Sequence, residues 1–181
     1  MHRRSQGVAV GKHETAMIRS ASMEDLDTRA AIEEASFAGD RVSRRSFRHL
    51  LSQGNSVTLV DAAAGEIRGY LTLLFRANTA RARVYTIATA AAWKGCGVAA
   101  ALVRAAEQAA LGRGCTALYL EVRKDNVASI GLFTTRGYRV FGQYEEYYED
   151  GMAAWRLEKI LTGSAPAPDR RLATFPAKNI S

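Results

Sequence analysis

Trp93-Lys94-Gly95-Cys96-Gly97-Val98-Ala99 lies where one hydrophobic run ends and an alanine-rich run begins. Glycines carry no Cβ, so backbone at Gly95 and Gly97 can close around a ligand. The first N–H groups of a helix lack intrahelical acceptors, and with the helix dipole they suit an anion such as a pyrophosphate. Lys94 adds a cation at the rim. Three readings compete: a phosphate cradle for a cofactor, a glycine-softened helix start, and a dinucleotide fold. The last arises because Gly95-x-Gly97-x-x-Ala100 fits GxGxxG/A and the acidic Glu121 ends the following strand. Chain position opposes it, since the loop follows a predicted antiparallel hairpin past the midpoint and no second set of strand–helix units succeeds it. A nucleoside-triphosphate loop is excluded, because GxxxxGK followed by Ser or Thr is absent.

Other chemistry-bearing residues are sparser. Cys96 and Cys115 make neither a disulfide framework nor a zinc motif, so no metal is expected. His2, His13 and His49 assemble no nucleophilic triad. Glu145, Glu146, Glu149 and Asp150 in EEYYED would attract a cation, or simply form a charged, solvated turn. Arg41, Arg44, Arg45 and Arg48 read either as a ligand-facing patch or as the solvated face of a helix.

The elements that must hold the loop follow from patterning. Ser22 caps a helix to about Phe37, with Asp25 as the capping-box partner, and a short helix starts near Ser43. AMIRSA is a strand, and NSVTLVD (55–61) and EIRGYLTLLFR (66–76) form a hairpin around the AAAG turn. RARVYTIAT (81–89) feeds the glycine loop, helix 98–112 follows, and Gly112 and Gly114 close it. CTALYLEVR (115–123) is a buried strand. A helix from Val127 to about Arg136 ends at Gly137, and YRVFG and MAAWRLEKIL are closing strands. Gly69 marks a possible bulge in the hairpin, and Trp93 packs beneath the loop. The implied class is α/β, one sheet with helices on both faces.

At 181 residues and 48% hydrophobic, the chain suits one domain, spanning 16–161, with flexible ends at 1–15 and 162–181. The tail after Leu161 holds all three prolines and no periodicity. Each end carries a net +2 of the total +7, which leaves a weakly basic body. That balance suits an anionic cofactor and gives no clustered stripe for nucleic acid. No run approaches the roughly 20 apolar residues of a membrane span, and the N-terminus lacks the apolar segment of a secretory signal. A cytoplasmic location is the expectation.

The segment IATAAAWKGCGVAAALV resembles the acyl-CoA-binding segment of the GNAT superfamily of N-acetyltransferases, [QR]-x-x-G-x-[GA] after a strand. Lys94, Gly95, Gly97 and Ala99 take its positions, with Lys94 a departure from Arg or Gln that keeps the charge. LEVRKDNVASIGLFTTRGYRVFG (120–142) resembles the family's second segment, through Leu120, Glu121, Val122, Arg123, Asn126, Ile130, Leu132, Gly137 and Tyr138. LEVR and the pair Tyr147-Tyr148 are similar to the ribosomal-protein-alanine (RimI-like) branch. Ala153 departs from an acidic position there, and Phe133 stands where that branch has a tyrosine.

The resemblance implies a GNAT-type mixed, mostly antiparallel, twisted sheet whose splayed parallel strand pair binds acetyl-CoA as co-substrate. Residues Gly95, Cys96, Gly97, Val98 and Ala99 would hold the pyrophosphate, beside Lys94. The strand Ile87-Ala88-Thr89 would pair with the pantetheine arm, which Asn126 would touch, and Phe133 would lie on the cofactor side. Direct attack by an amine needs a base, and Glu121 is the candidate; its alternative is a strand-end carboxylate paired with Arg123 or another cation. Tyr147 or Tyr148 would protonate the departing thiolate, or solvent would. The expected activity is acetyl transfer to a protein N-terminal or other peptide amine, with a ribosomal protein among possible partners. A small-molecule amine and a non-catalytic CoA-binding module are the alternatives, and the basic ends would serve either as tethers.

Overall fold

Alternating side chains in a strand point to opposite faces, and a helix–sheet domain buries both. The computed structural model describes residues 16–161 except 38 and 40. The segments 1–15 and 162–181, expected to be extensions, lie outside the described residues. β1 (Met17–Ser20), β2 (Ser56–Ala63), β3 (Glu66–Phe75) and β4 (Arg81–Thr89) form an antiparallel meander. Its β2–β3 turn is Ala64-Gly65, with φ of 53° and 75°, as a two-residue hairpin loop requires.

Helix α1 (Leu26–Ser36) begins one turn later than Ser22 suggests, because Met23–Asp25 forms a 3₁₀ turn first. The capping partner is present: Asp25 accepts from the Ser22 N–H at 2.7 Å and from both terminal nitrogens of Arg19. In α2 (Arg44–Ser52) the Ser43 Oγ accepts from the Ser46 N–H at 3.1 Å. After α3 (Val98–Gly112), β5 (Ala117–Arg123), α4 (Val127–Thr134), β6 (Arg139–Tyr144) and β7 (Ala154–Ile160) complete the domain. Gly114 (φ 78°) and Gly137 (φ 86°) take the left-handed turns after α3 and α4; Gly112 is still helical.

The sheet order is β1-β2-β3-β4-β5-β7-β6, and only β4 and β5 run parallel. β7 inserts between β5 and β6, which leaves β6 on the edge. This is the mixed, mostly antiparallel α/β sheet expected.

One face of the sheet packs Leu71, Leu73, Leu118 and Leu157 against Leu102, Val103 and Ala106 of α3. The other sends Val60 and Tyr70 to Leu26, Ile32 and Phe47 of α1 and α2. Fully burying one such side chain stabilises by about 1.5–3 kcal/mol. The second cluster also encloses the Arg29 side chain, whose guanidinium lies 4.3 Å from the Phe47 ring centroid. Burial pushes its pKa down to about 10.

Gly69 sets the approach of α3. A Cβ there would lie 2.8 Å from Val98 Cγ1 and 2.9 Å from the Ala88 carbonyl oxygen. The bulge sits beside it: Asp61 pairs with Gly69 and Ala62 with Ile67, so Arg68 is the extra residue. Among the described residues, no helix is long and apolar enough to cross a membrane.

Candidate active site at the splayed strands

Parallel pairing between β4 and β5 lasts only from Arg81–Ala117 to Arg83–Tyr119. Beyond it β4 follows β3, and Leu120 to Arg123 of β5 follow β7. The two strands therefore part, and a cleft of about 1020 Å³ opens between them. Val84, Tyr85, Thr86 and Ile87 form one wall; Leu120, Glu121, Val122, Asn126 and Phe133 form the other.

The glycine loop lies at the same ends of these strands. Gly95 (φ 77°) and Gly97 (φ 80°) adopt left-handed backbone, and the space where a Cβ would stand is open at both. The α3 ladder opens with the Ala101 N–H donating to Gly97 O at 3.0 Å, so the N–H groups of residues 97–100 precede it. Lys94 and Cys96 are exposed and Val98 anchors the helix in the core. The Cys96 thiol donates to Lys94 O at 3.8 Å. Trp93 is half-buried beside β3, with its Nε1 donating to Glu66 at 3.3 Å and Arg68 over its ring.

Of the pantetheine-side residues, Ile87 faces the cleft, whereas Ala88 is buried in the second cluster and Thr89 pairs with Gly69. Asn126 caps α4 by accepting from the Ser129 N–H at 3.0 Å, which leaves its amide donors for a ligand. Phe133 is fully buried and edge-on to Tyr138 at 5.0 Å. It is an apolar wall of the cleft.

Glu121 keeps only 6% of its side chain exposed and is paired, with Arg83 rather than Arg123. The Arg83 guanidinium donates to Glu121 Oε2 at 2.7 Å and to the Tyr147 hydroxyl at 2.8 Å. Arg156, opposite Glu121 on β7, brings Nε to 4.0 Å of Oε1. Arg123 turns instead to Asp125 and Asp150 and lies 4.8 Å over the Tyr148 ring. Burial raises the Tyr147 pKa, although the Arg83 cation opposes it, so the phenol holds its proton.

Tyr147, Tyr148, Glu149 and Asp150 line the mouth. Glu145 points elsewhere, to Lys124 at 3.7 Å, and Glu146 takes a positive φ of 47° in the turn.

Besides Arg156, the site residues Arg83 and Glu33 escape a reading of motifs. Arg83 sits in a strand that patterning describes correctly but whose charged face it does not assign. Glu33 of α1 also lines the cleft. It accepts from the Val42 N–H at 2.7 Å, from the Tyr70 hydroxyl and from Thr86 at 3.5 Å. Burial pushes its carboxyl up. The available signal was a charge on the buried helical stripe shared with Leu26, Arg29 and Ile32.

A family model described as the acetyltransferase (GNAT) family matches residues 21–138, which include α1, the glycine loop, Glu121 and Asn126. The chain belongs to the GNAT acetyltransferase family.

The Arabidopsis thaliana N-terminal acetyltransferase A complex catalytic subunit NAA10 is 28% identical over 151 residues, covering 81% of this chain and 78% of that protein. The Escherichia coli ribosomal-protein-S18-alanine N-acetyltransferase superposes with a TM-score of 0.74 at 22% identity, covering 83% of this chain and 96% of that one. Ard1 from Thermoplasma volcanium gives 0.76 at 22% identity, covering 82% and 99%. As a GNAT acetyltransferase the protein transfers acetyl from acetyl-CoA to an amine. The open glycine loop, the α3 N–H groups and the splay fit that donor: a polyanion at one end, an extended arm along β4.

Proposed function

We propose that the protein acetylates the N-terminal α-amine of a polypeptide. The observation that carries this reading is the open acceptor mouth, where Glu33 and Glu149 stand with Glu121 and Asp150, the latter two ion-paired to Arg83 and Arg123. Such a mouth receives an ammonium group and leaves space for the chain behind it. The N-terminal acetyltransferase activity of NAA10 and the ribosomal-protein-alanine activity of the S18 enzyme point the same way.

Bound acetyl-CoA supplies a thioester carbonyl that an unprotonated amine can attack. Gly95, Gly97, Val98 and Ala99 would hold the pyrophosphate on backbone N–H groups, with Lys94 beside them, while the Cys96 N–H donates to Trp93 O at 3.2 Å and shapes the loop. Ile87, Ala88 and Thr89 present strand backbone to the pantetheine arm, Asn126 donates to it, and Phe133 keeps that wall dry. Glu121 takes the proton of the amine, directly or through water. Arg83 and Arg156 fix the carboxylate's position. Tyr147, kept protonated, or Tyr148 returns a proton to the thiolate.

A free α-amine titrates near ~8 and a lysine near ~10.4, so the α-amine costs about 3 kcal/mol less to deprotonate at neutral pH. A single carboxylate base suits the easier of the two. We take the reaction to be cytoplasmic, with ribosomal-protein N-termini among the free α-amines tested.

That test is mass spectrometry of peptides with free α-amines, of α-blocked lysine peptides and of small amines, each with acetyl-CoA. Modification at the α-amine is expected. Modification confined to lysine or small amines overturns the reading, and acetyl-CoA binding without turnover on any amine would make the protein a binding module. Glu121→Gln should lower kcat about 10²–10⁴-fold while acetyl-CoA affinity is kept. An unchanged pH–rate profile in that variant removes Glu121 as base.

A further inference from the structure

The sheet face beyond the acceptor mouth carries arginines and aromatic rings in alternation. α1 and α2 cover the face over β2, β3 and β4. Over β5, β7 and β6 the same side of the sheet bears Tyr119, Glu121, Arg156, Glu158 and Tyr144, as the register pairs of these strands show. The Tyr147 ring, whose hydroxyl accepts from Arg83, stacks on Tyr144 at 5.5 Å and 13°. Arg156 lies 4.6 Å over Tyr144 and 4.4 Å over Phe141. Arg81 lies 5.3 Å over Phe141 and 4.9 Å over Tyr119. The row thus runs without a break from the cleft to the edge strand, about 15 Å across three strand spacings.

The charges on this face do not cancel. Arg81, Arg83, Arg139 and Arg156 stand against two carboxylates, Glu121 and Glu158, which they already pair. Among the described residues, Arg81 Nε and Arg156 Nε are out of solvent and have no hydrogen-bond partner, so the guanidinium nitrogens that face outward are their terminal ones.

We propose that this face docks an acidic segment of the acceptor polypeptide, downstream of the amine. The proposal rests on the polypeptide N-terminus being the acceptor. Continuity with the mouth and complementary charge carry it: the amine meets carboxylates in the cleft, and the chain behind it meets guanidinium groups. At ~3.3 Å per extended residue, about the third to sixth residues reach the row. A nucleobase platform fits less well, because Tyr119, Phe141 and Tyr144 already have guanidinium groups over their rings.

The test compares two peptides with the same first two residues and either four Glu or four Gln at positions three to six. Wild-type protein should favour the Glu peptide about tenfold or more in kcat/KM, through KM, and lose the preference near 0.5 M salt. Arg81→Gln, or Arg139→Glu on the exposed edge, should bring the ratio within about twofold, with acetyl-CoA affinity and melting temperature confirming the fold. Equal use of both peptides by the wild type, or preference retained in both variants, overturns the proposal. A second arm measures fluorescence anisotropy with an α-acetylated, labelled Glu peptide. If neither free peptide is acetylated yet this probe binds in an Arg139-dependent way, the face stands and the reading of the acceptor falls. No binding overturns the face itself, as does a 12-nucleotide oligothymidine that binds more tightly than the Glu probe.

Discussion

Glu121 and Glu33 are two carboxylates in one cleft with different surroundings. Glu121 is met by the cations of Arg83 and Arg156, whereas Glu33 is hydrogen-bonded by a phenol, a backbone N–H and a hydroxyl. Burial therefore raises the Glu33 pKa above its ordinary 4.5. Between that value and the raised one, the folded protein holds a proton that the unfolded chain releases. The stability contribution is complete below 4.5 and is lost as pH rises through the folded pKa. Urea titrations from pH 4.5 to 7 should show Glu33→Gln losing less stability over this window than wild type; parallel slopes would refute it. Asp25 runs the other way. The Arg19 hydrogen bonds hold its carboxyl below 3.8, so its contribution is present above that value and is lost as pH falls through the folded pKa. Asp25→Asn should cost about 1 kcal/mol at neutral pH, with the difference closing in strong acid. Glu121 was legible from its place in LEVR. Its cation was not, because Arg83 lies 38 residues earlier on another strand.

The placement of α3 decides whether the glycine loop can act. Val98 and Leu102 press on Gly69, and a methyl there would also meet the Ala88 carbonyl, which cannot rotate away. Gly69→Ala is expected to destabilise by about 1–3 kcal/mol and to weaken acetyl-CoA binding by shifting the helix start. Gly112 makes the contrast. It is helical and has open space around it, so Gly112→Ala should be neutral or gain up to about 1 kcal/mol. Thermal melts of both variants, with acetyl-CoA titrations, check the pair; equal effects would remove the argument for a special contact at Gly69. Local signals served well at this scale. Ser43, Asn126, the Ala64-Gly65 turn and the glycines after α3 and α4 act within a few residues of themselves, and that is the range over which sequence patterns speak.

For the whole molecule, the parted strands make the cleft a place where ligand free energy adds to folding. At acetyl-CoA 100-fold above its Kd, mass action adds about 2.7 kcal/mol. A rise in melting temperature is expected, and none in a Gly97→Val protein, whose φ of 80° a β-branched residue resists. By itself the sequence determined the α/β class, the element order and the glycine turn before α3, since each rests on periodicity, caps and glycine. The resemblance of LEVRKDNVASIGLF to the family's second segment also placed Glu121, Asn126 and Phe133 at the cleft, where all three line it. Only the tertiary structure decided that β7 lies between β5 and β6, which sets Arg156 against Glu121 and builds the arginine–aromatic face. It also carried Glu33 from α1 into the cleft beside Thr86. Strand pairing and helix docking join residues far apart in the chain, and no local pattern records which of the compatible partners wins.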